Sequence, residues 1–423
     1  MSAVTSEGPA AGVAGRRHPA RSAIPDRVAR RVMLAAARRI RTGRLTIVVP
    51  GGGRIVVGDR DPLAEPRAEI HVHDEAGALR MLLRGEIGAG EAYVDGLWSS
   101  PDLPALLRLA ALNRDALALS DGWLRRLGRL PQVVAHRARR NTVSGARRNI
   151  RRHYDLGNDF YELFLDETMT YSAALFEDET ATLADAQLAK YRAIADRAAL
   201  RPGMRVLEIG SGWGGFASYA AGERGCDVTS ITISPAQHRL ATERIRAAGL
   251  EDRARIELLD YREVTGTYDA VVSIEMLEAV GHEYFPAFFA AVDRALVPGG
   301  RCSLQVITFP DASYEAQRRG VNWIQTYIFP GGLLPSLAVL ERATARTRLL
   351  ITDVRDIADS YVRTLAAWRA AFLANVDAVR ALGFDERFVR MWEYYLSISE
   401  AGFATGITQD LQIVLEKSRG VAR

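Results

Sequence analysis

Val206-Leu-Glu-Ile-Gly-Ser-Gly-Trp-Gly-Gly215 sets Gly210, Gly212 and Gly215 on the G-x-G-x-x-G spacing directly after an apolar run that reads as a strand. Such a turn brings bare backbone and a helix N-terminus up to a ligand, so it can cradle a nucleotide-containing cofactor. The spacing alone does not choose the cofactor. A dinucleotide site needs an acid at the end of the second strand, about twenty residues on, to hold the ribose hydroxyls. Thr232-Ile-Ser-Pro occupies that place and carries none. Glu208, on the strand just ahead of the turn, suits instead a cofactor whose methionyl ammonium lies over the loop, as in S-adenosylmethionine. Gln237, on the first turn after the second strand, falls where the ribose of that cofactor would lie. A turn that only packs helix on sheet is the alternative reading of the same glycines.

An α/β framework is needed to position these groups. From about residue 183, apolar runs at 205–209, 227–233, 254–259, 268–274 and 302–309 alternate with helical spacing, as at 235–248 and 285–296. That rhythm predicts a doubly wound parallel sheet. Residues 310–345, rich in aromatics, Pro and Gly, interrupt it and read as a substrate cover. Two long amphipathic segments, 357–382 and 384–404, precede a short final strand near 410–415. Upstream, β-branched runs at 45–49 and 54–57 flank Pro50-Gly-Gly-Gly53 as a hairpin, and a third strand is expected at 68–73. With helical spacing at 75–83 and 103–119, residues 25–124 form a small N-terminal α+β domain. The first 24 residues read as a disordered tail, 125–160 as a basic linker and 161–423 as the catalytic domain.

The 423 residues are 48% hydrophobic, enough for a substantial core, with a net charge of +4 and a pI near 9.1. Arginine is unevenly placed. Residues 16–44 hold ten arginines and one acid, Asp26, while 125–152 hold ten arginines and no acid. Both runs fit an anionic surface, and 26–40 has the loose spacing of a basic amphipathic helix. They lack the interleaved aromatics that stack nucleic-acid bases, so no nucleic-acid partner is expected. No apolar stretch approaches the roughly eighteen residues of a membrane span. Cys226 and Cys302 lie far apart in apolar runs, which suggests neither a disulfide framework nor a thiolate site and fits a reducing cytoplasm. His71-Val-His73 shares a strand face but has no third ligand nearby, so no metal is expected.

Several further motifs stand in a fixed order: Asn149-Ile-Arg-Arg-His-Tyr-Asp-Leu-Gly-Asn-Asp159, Met169-Thr-Tyr-Ser172, Thr232-Ile-Ser-Pro-Ala-Gln237, Glu275-Met-Leu-Glu278 and Tyr327-Ile-Phe-Pro-Gly-Gly-Leu-Leu-Pro335. With the glycine turn they resemble the cyclopropane-fatty-acyl-phospholipid synthases and their mycobacterial relatives over about residues 40–415. The resemblance implies a class I (Rossmann-like) methyltransferase fold. It implies that Tyr171, Ser172, Glu208, Gly210, Gly212, Trp213, Gly214, Thr232, Ile233, Gln237, Tyr261 and Arg262 hold adenosylmethionine. It further implies methyl transfer to a cis double bond of an unsaturated phospholipid acyl chain, through a carbocation. Such a pocket must be dry, and Tyr314, Trp323, Tyr327, Phe329 and Trp368 are the aromatic candidates for its lining. Glu91-Ala-Tyr-Val-Asp-Gly-Leu-Trp98 resembles the family's N-terminal domain, a lipid-docking module or a homodimer contact. A protein peripheral on the inner face of the plasma membrane, docked by its arginines, is the expectation.

In the family a bicarbonate held by Cys, Glu, His and Tyr takes the proton from the cation. Glu278 and Tyr361 match that set, but Ala173 stands for the cysteine and Gln305 for the histidine. Glutamine exchanges hydrogen bonds without positive charge, so the family's bicarbonate seat is not reproduced in full here. A moved base lets the cation lose its proton from the new methyl, giving an exocyclic methylene rather than a ring. Gln305 with Glu278-Ala-Val-Gly281 resembles the actinobacterial enzymes of tuberculostearic-type 10-methyl chains, which work with a separate flavin reductase. A cyclopropane product is the alternative, and a catalytically silent lipid- or adenosylmethionine-binding partner protein is another.

Overall fold

The computed structural model describes residues 23–61, 63–117 and 156–420; most of the expected tail and of the expected basic linker lies outside them. In the N-terminal part, α1 (Ala23–Ala37) precedes β1 (Arg44–Val48), β2 (Arg54–Gly58), β3 (Arg67–Val72), α2 (Ala76–Val94), β4 (Trp98–Ser99) and α3 (Leu103–Leu112). The glycine-rich turn closes β1 on β2 antiparallel, as the β-branched runs required. β3 then pairs parallel to the other side of β1, and β4 caps the edge. α3 starts cleanly because the Asp102 side chain accepts the Ala105 N–H while Pro104 fills its first turn. α2 breaks at Gly85, whose φ of 60° and ψ of −132° leave the helical region.

The catalytic part begins with the short α4 (Asn158–Glu162) and α5 (Leu183–Arg197). β5 (Arg205–Ile209), α6 (Gly215–Gly222), β6 (Asp227–Thr232), α7 (Pro235–Ala247), β7 (Ala254–Leu258), β8 (Tyr268–Ile274), α8 (Phe285–Ala295) and β9 (Leu296–Thr308) follow, alternating as expected except between β7 and β8, which a short 3-10 turn at Tyr261–Glu263 joins. Then come α9 (Asp311–Arg319), α10 (Trp323–Tyr327), α11 (Leu337–Thr344), β10 (Leu349–Asp356), α12 (Ala358–Ala374), α13 (Glu386–Ala404) and β11 (Gln409–Lys417). The seven-stranded order is β10-β11-β9-β8-β5-β6-β7.

Five of these strands are parallel as expected, but β11 runs antiparallel to both β9 and β10, so the sheet is mixed. β10 is not among the expected strands: only Leu349 of its opening Leu349-Leu350-Ile351 is buried, and it is an exposed edge whose Thr352, Asp353, Arg355 and Asp356 face water. β11 is longer than the expected 410–415 because the polar Gln409, Glu416 and Lys417 at its ends also pair in the sheet.

The N-terminal part does not hang on a tether. One apolar cluster joins Tyr93 and Trp98 to Phe160, Trp323, Trp392 and Tyr394, so α4, which straddles the expected linker boundary at residue 160, belongs to the core. Polar contacts fix the join: Arg390 on α13 donates to the Tyr93 carbonyl at 2.7 Å and the Trp98 carbonyl at 3.0 Å, and the Tyr93 hydroxyl donates to Glu393 at 2.6 Å. Gly90 sits where α2 meets α10, and a Cβ there would collide with the Trp323 indole and the Tyr394 ring. Gly90→Ala therefore overpacks the join, and denaturation should show a loss of about 1–3 kcal/mol.

Candidate active site

The turn after β5 uses its glycines for distinct purposes. Gly210 and Gly212 take φ of 99° and 49°, in the left-handed region, and the Gly210 and Ser211 amides tie the loop to the Ile231 carbonyl of β6 at 3.0 and 2.9 Å. Gly214, also left-handed, does not line the cavity as the resemblance implied. It caps α6, and a Cβ there would press on Ala241 at 3.2 Å, so its task is to let α6 lie against α7.

Every other expected cofactor position lines one cavity of about 1100 Å³ at the C-terminal edge of the sheet. That is where open α/β sheets bind ligands. Glu208 is buried and accepts a hydrogen bond from Ser230 Oγ; burial pushes its carboxyl up to about 8. Thr232 Oγ1 donates to Gln237 Oε1 at 2.9 Å, which holds that side chain and leaves its amide NH₂ for a ligand. Arg262 grips Asp260 through Nε and Nη2 at 2.7 and 2.6 Å and lies over the Tyr261 ring. Sequence reasoning passed over Asp260, although it stands immediately before Tyr261-Arg262 and lines the same cavity. It also passed over Lys190, fully buried on α5, which donates to Ser172 Oγ at 2.6 Å and whose ammonium burial lowers to about 8. A glycine cradle, a buried carboxyl, a free amide and an aromatic–guanidinium wall fit an adenosylmethionine well.

Glu278 and Tyr361 line the same cavity, but the Tyr361 hydroxyl donates to Glu275 Oε2 at 2.8 Å rather than to Glu278. Glu278 Oε1 accepts the Ile307 N–H at 2.6 Å, while its buried Oε2 has no partner among the described residues. Burial, reinforced by the charge of Glu275, pushes this carboxyl up to about 8. Gln305, expected to act in the cavity, does not line it. Its Nε2 is spent behind the wall on Glu275 Oε1 at 2.8 Å and Asp410 Oδ2 at 3.1 Å. Glu275 itself, unremarked at the start of the quoted Glu275-Met-Leu-Glu278, does line the cavity. The only sequence signal for it was a second acid three residues ahead of Glu278.

Among the aromatic candidates Phe329 lines the cavity and the others do not. Trp323 and Trp368 are fully buried, the first filling the gap over Gly90 and against Tyr394, the second stacked at 5.1 Å behind Tyr171. Tyr314 is in the core with its hydroxyl 2.6 Å from His282 Nδ1, and Tyr327 is 40% exposed and donates to Glu91. These rings stiffen the walls rather than face a ligand. Tyr394, Tyr395 and Phe403, from α13, supply aromatic lining instead. Of the paired histidines, His71 bonds Glu69 and His73 bonds Ser99, and no cluster of metal-ligating side chains exists among the described residues.

The model of the mycolic acid cyclopropane synthetase family matches residues 142–413. The chain belongs to that family. It is 42% identical to the tuberculostearic acid methyltransferase UfaA1 of Mycobacterium tuberculosis over 96% of both chains. It is 35% identical to the cyclopropane-fatty-acyl-phospholipid synthase of Escherichia coli K12, over 84% of this chain and 88% of that one. The solved mycolic acid cyclopropane synthase CmaA1, complexed with SAH and CTAB, superposes with a TM-score of 0.60 at 32% identity, covering 64% of this chain and 98% of its own. The protein is thus a class I, S-adenosylmethionine-dependent methyltransferase of the cyclopropane-synthase type.

The buried acids of this cyclopropane synthetase relative give its stability a signature. Glu208 and Glu278 ionise near 8 in the folded protein against an ordinary 4.5, so the fold favours their protonated forms. Their stabilising share is complete below 4.5 and is lost as pH rises towards 8. The ligand-free protein should lose stability across that window, and Glu208→Gln should flatten the profile of Tm against pH.

Proposed function

We propose that this enzyme methylates the cis double bond of an oleoyl-type phospholipid chain and releases a methylene-branched (10-methylene) chain, the precursor of a 10-methyl chain. The continuity of the cavity carries the substrate reading. From the glycine turn it passes Phe329, Leu333 and Ile398 and reaches Met33, Met81, Ala89 and Leu107 of the N-terminal part, an apolar path suited to an acyl chain. Bound adenosylmethionine supplies an electrophilic methyl group.

The chain's own residues do the rest. An alkene is a weak nucleophile, so alignment and exclusion of water must supply much of the rate. Tyr171 is held by a 2.8 Å hydrogen bond to Tyr395 and by its stack on Trp368, which fixes one wall beside Ser172. Phe329, Tyr395 and Phe403 put aromatic rings on the cavity lining, where they can support a passing cation. Ala173 and Gln305, in place of the family's Cys and His, support the methylene product over the ring, as does the likeness to UfaA1.

No helix among the described residues is long and apolar enough to cross a membrane. On this reading the substrate chain is drawn from a membrane surface. Arg114 lies on the cavity lining with its side chain largely exposed, a place where it can meet a headgroup phosphate, and the arginine runs add about 1 kcal/mol per residue near anionic lipid. A flavin-dependent reductase acting on the product would complete the methyl branch.

Incubation with adenosylmethionine and dioleoyl phospholipid should yield adenosylhomocysteine and a lipid one CH₂ heavier, with exocyclic-methylene protons by NMR. A cyclopropane as sole product, which has the same mass, overturns the product assignment. Flotation with anionic vesicles should recover the protein at low salt and lose it at high salt; salt-insensitive binding to neutral vesicles would overturn electrostatic docking.

A further inference from the structure

Glu275 is a cavity residue that the proposed chemistry leaves without a task. It leaves β8 with a φ of 47°, in the left-handed region that side-chain-bearing residues avoid. Such backbone persists where the surroundings enforce it, commonly at functional positions. The surroundings here are three donors converging on one carboxylate. The Ala173 N–H and Gln305 Nε2 donate to Oε1 at 2.7 and 2.8 Å, and the Tyr361 hydroxyl donates to Oε2 at 2.8 Å. A seat made of donors calls for an anion. The same side chain lines the cavity, so it is held from behind and open in front.

We infer that Glu275 is the proton acceptor of the reaction, carried on the chain itself, and that the enzyme turns over without bound bicarbonate. The inference rests on the substrate reading above. In the step, the alkene π pair forms the bond to the methyl carbon as its bond to the sulfonium sulfur breaks, the pair remaining on sulfur. A hydride then moves from the methyl-bearing carbon to the neighbouring cationic carbon. A C–H bond of the new methyl breaks, its pair forms the exocyclic C=C, and the proton passes to the Glu275 carboxylate. The Tyr361 hydroxyl, able to accept as well as donate, takes the resulting O–H.

Glu278 is the rival base, and the two acids divide by their surroundings. Burial raises both, but Lys190, Ala173, Tyr361 and Gln305 all draw Glu275 back towards the ionised form, whereas Glu278 is raised further by the charge of Glu275. Gln305 gains a reason too. With the anion covalently part of the chain, a neutral donor suffices where a free anion needs a cation. Gln305 is itself set by Gln412 Nε2, which donates to its Oε1 at 3.2 Å.

The test uses wild type, Glu275→Gln and Glu275→Gly in carbonate-free buffer under argon, with and without added bicarbonate. Wild-type turnover on dioleoyl phospholipid should be unchanged by bicarbonate. Glu275→Gln should fold, keep adenosylhomocysteine binding by calorimetry, and lose about a hundredfold or more in turnover, the usual weight of a general base, with no rescue. Glu275→Gly empties the seat, so bicarbonate should raise its melting temperature saturably without any substrate, leave that of wild type unmoved, and restore part of its turnover. Wild-type turnover that falls on bicarbonate removal, or a Glu275→Gln enzyme of wild-type rate, overturns the inference. Should wild type release no adenosylhomocysteine from oleoyl lipid, the substrate reading fails separately, and the substrate-free melting shift still decides whether Glu275 occupies an anion seat.

Discussion

Glu208, Glu275, Glu278 and Asp410 bring carboxyl groups into the interior at the C-terminal edge of the sheet, and an unpaired buried carboxylate costs several kcal/mol. Each is settled differently. Ser230 bonds Glu208, Ile307 bonds one oxygen of Glu278, Gln305 bridges Glu275 and Asp410, and Lys190 supplies the cation whose field reaches Glu208, Glu275 and Asp410. These partners come from several strands, so strand register decides whether the acids are satisfied. β8 sets Ile274 opposite Gln305, and β11 sets Gln412 opposite Gln305 and Asp410 opposite Ile307. A slip of one residue would turn Gln305 away and strand the carboxylates.

What the sequence disclosed and what it hid divide along physical lines. Parallel strands buried on both faces announce themselves as apolar runs, and a glycine turn is local, so β5 to β9 and the cradle were legible. β10 was not, because an exposed edge strand buries only Leu349 and shows no continuous buried pattern, nor was the full length of β11, because its ends Gln409, Glu416 and Lys417 are polar. Trp323, Trp368 and Tyr314 were assigned to the substrate path because composition cannot tell a ring that faces a cavity from one that backs it. Glu275 escaped for a related reason. A glutamate is ordinarily a surface residue, and only contacts with Ala173, more than a hundred positions earlier, and with Tyr361 show that its carboxyl is held inside by hydrogen-bond donors.

The same long-range logic explains the N-terminal part. Its strands and helices were readable as a separate α+β unit, yet its core is continuous with that of the catalytic part through Tyr93, Trp323, Trp392 and Tyr394. The far wall of the cavity therefore comes from helices α2 and α3, and the break at Gly85, itself on the lining, turns α2 along that wall. A cavity built across two units is as well defined as the packing between them.

β11 follows every other described element in the chain and yet lies inside the sheet, between β9 and β10. Asp410 and Gln412, the groups that set Gln305, arrive with it. During synthesis the glycine cradle is complete some two hundred residues before this strand leaves the ribosome. A nascent chain can thus form its nucleotide-binding half first while β9 waits with an open edge. The acid cluster is therefore set only once β11 has entered between β9 and β10, so the chemical half of the site depends on a strand far downstream of the cradle.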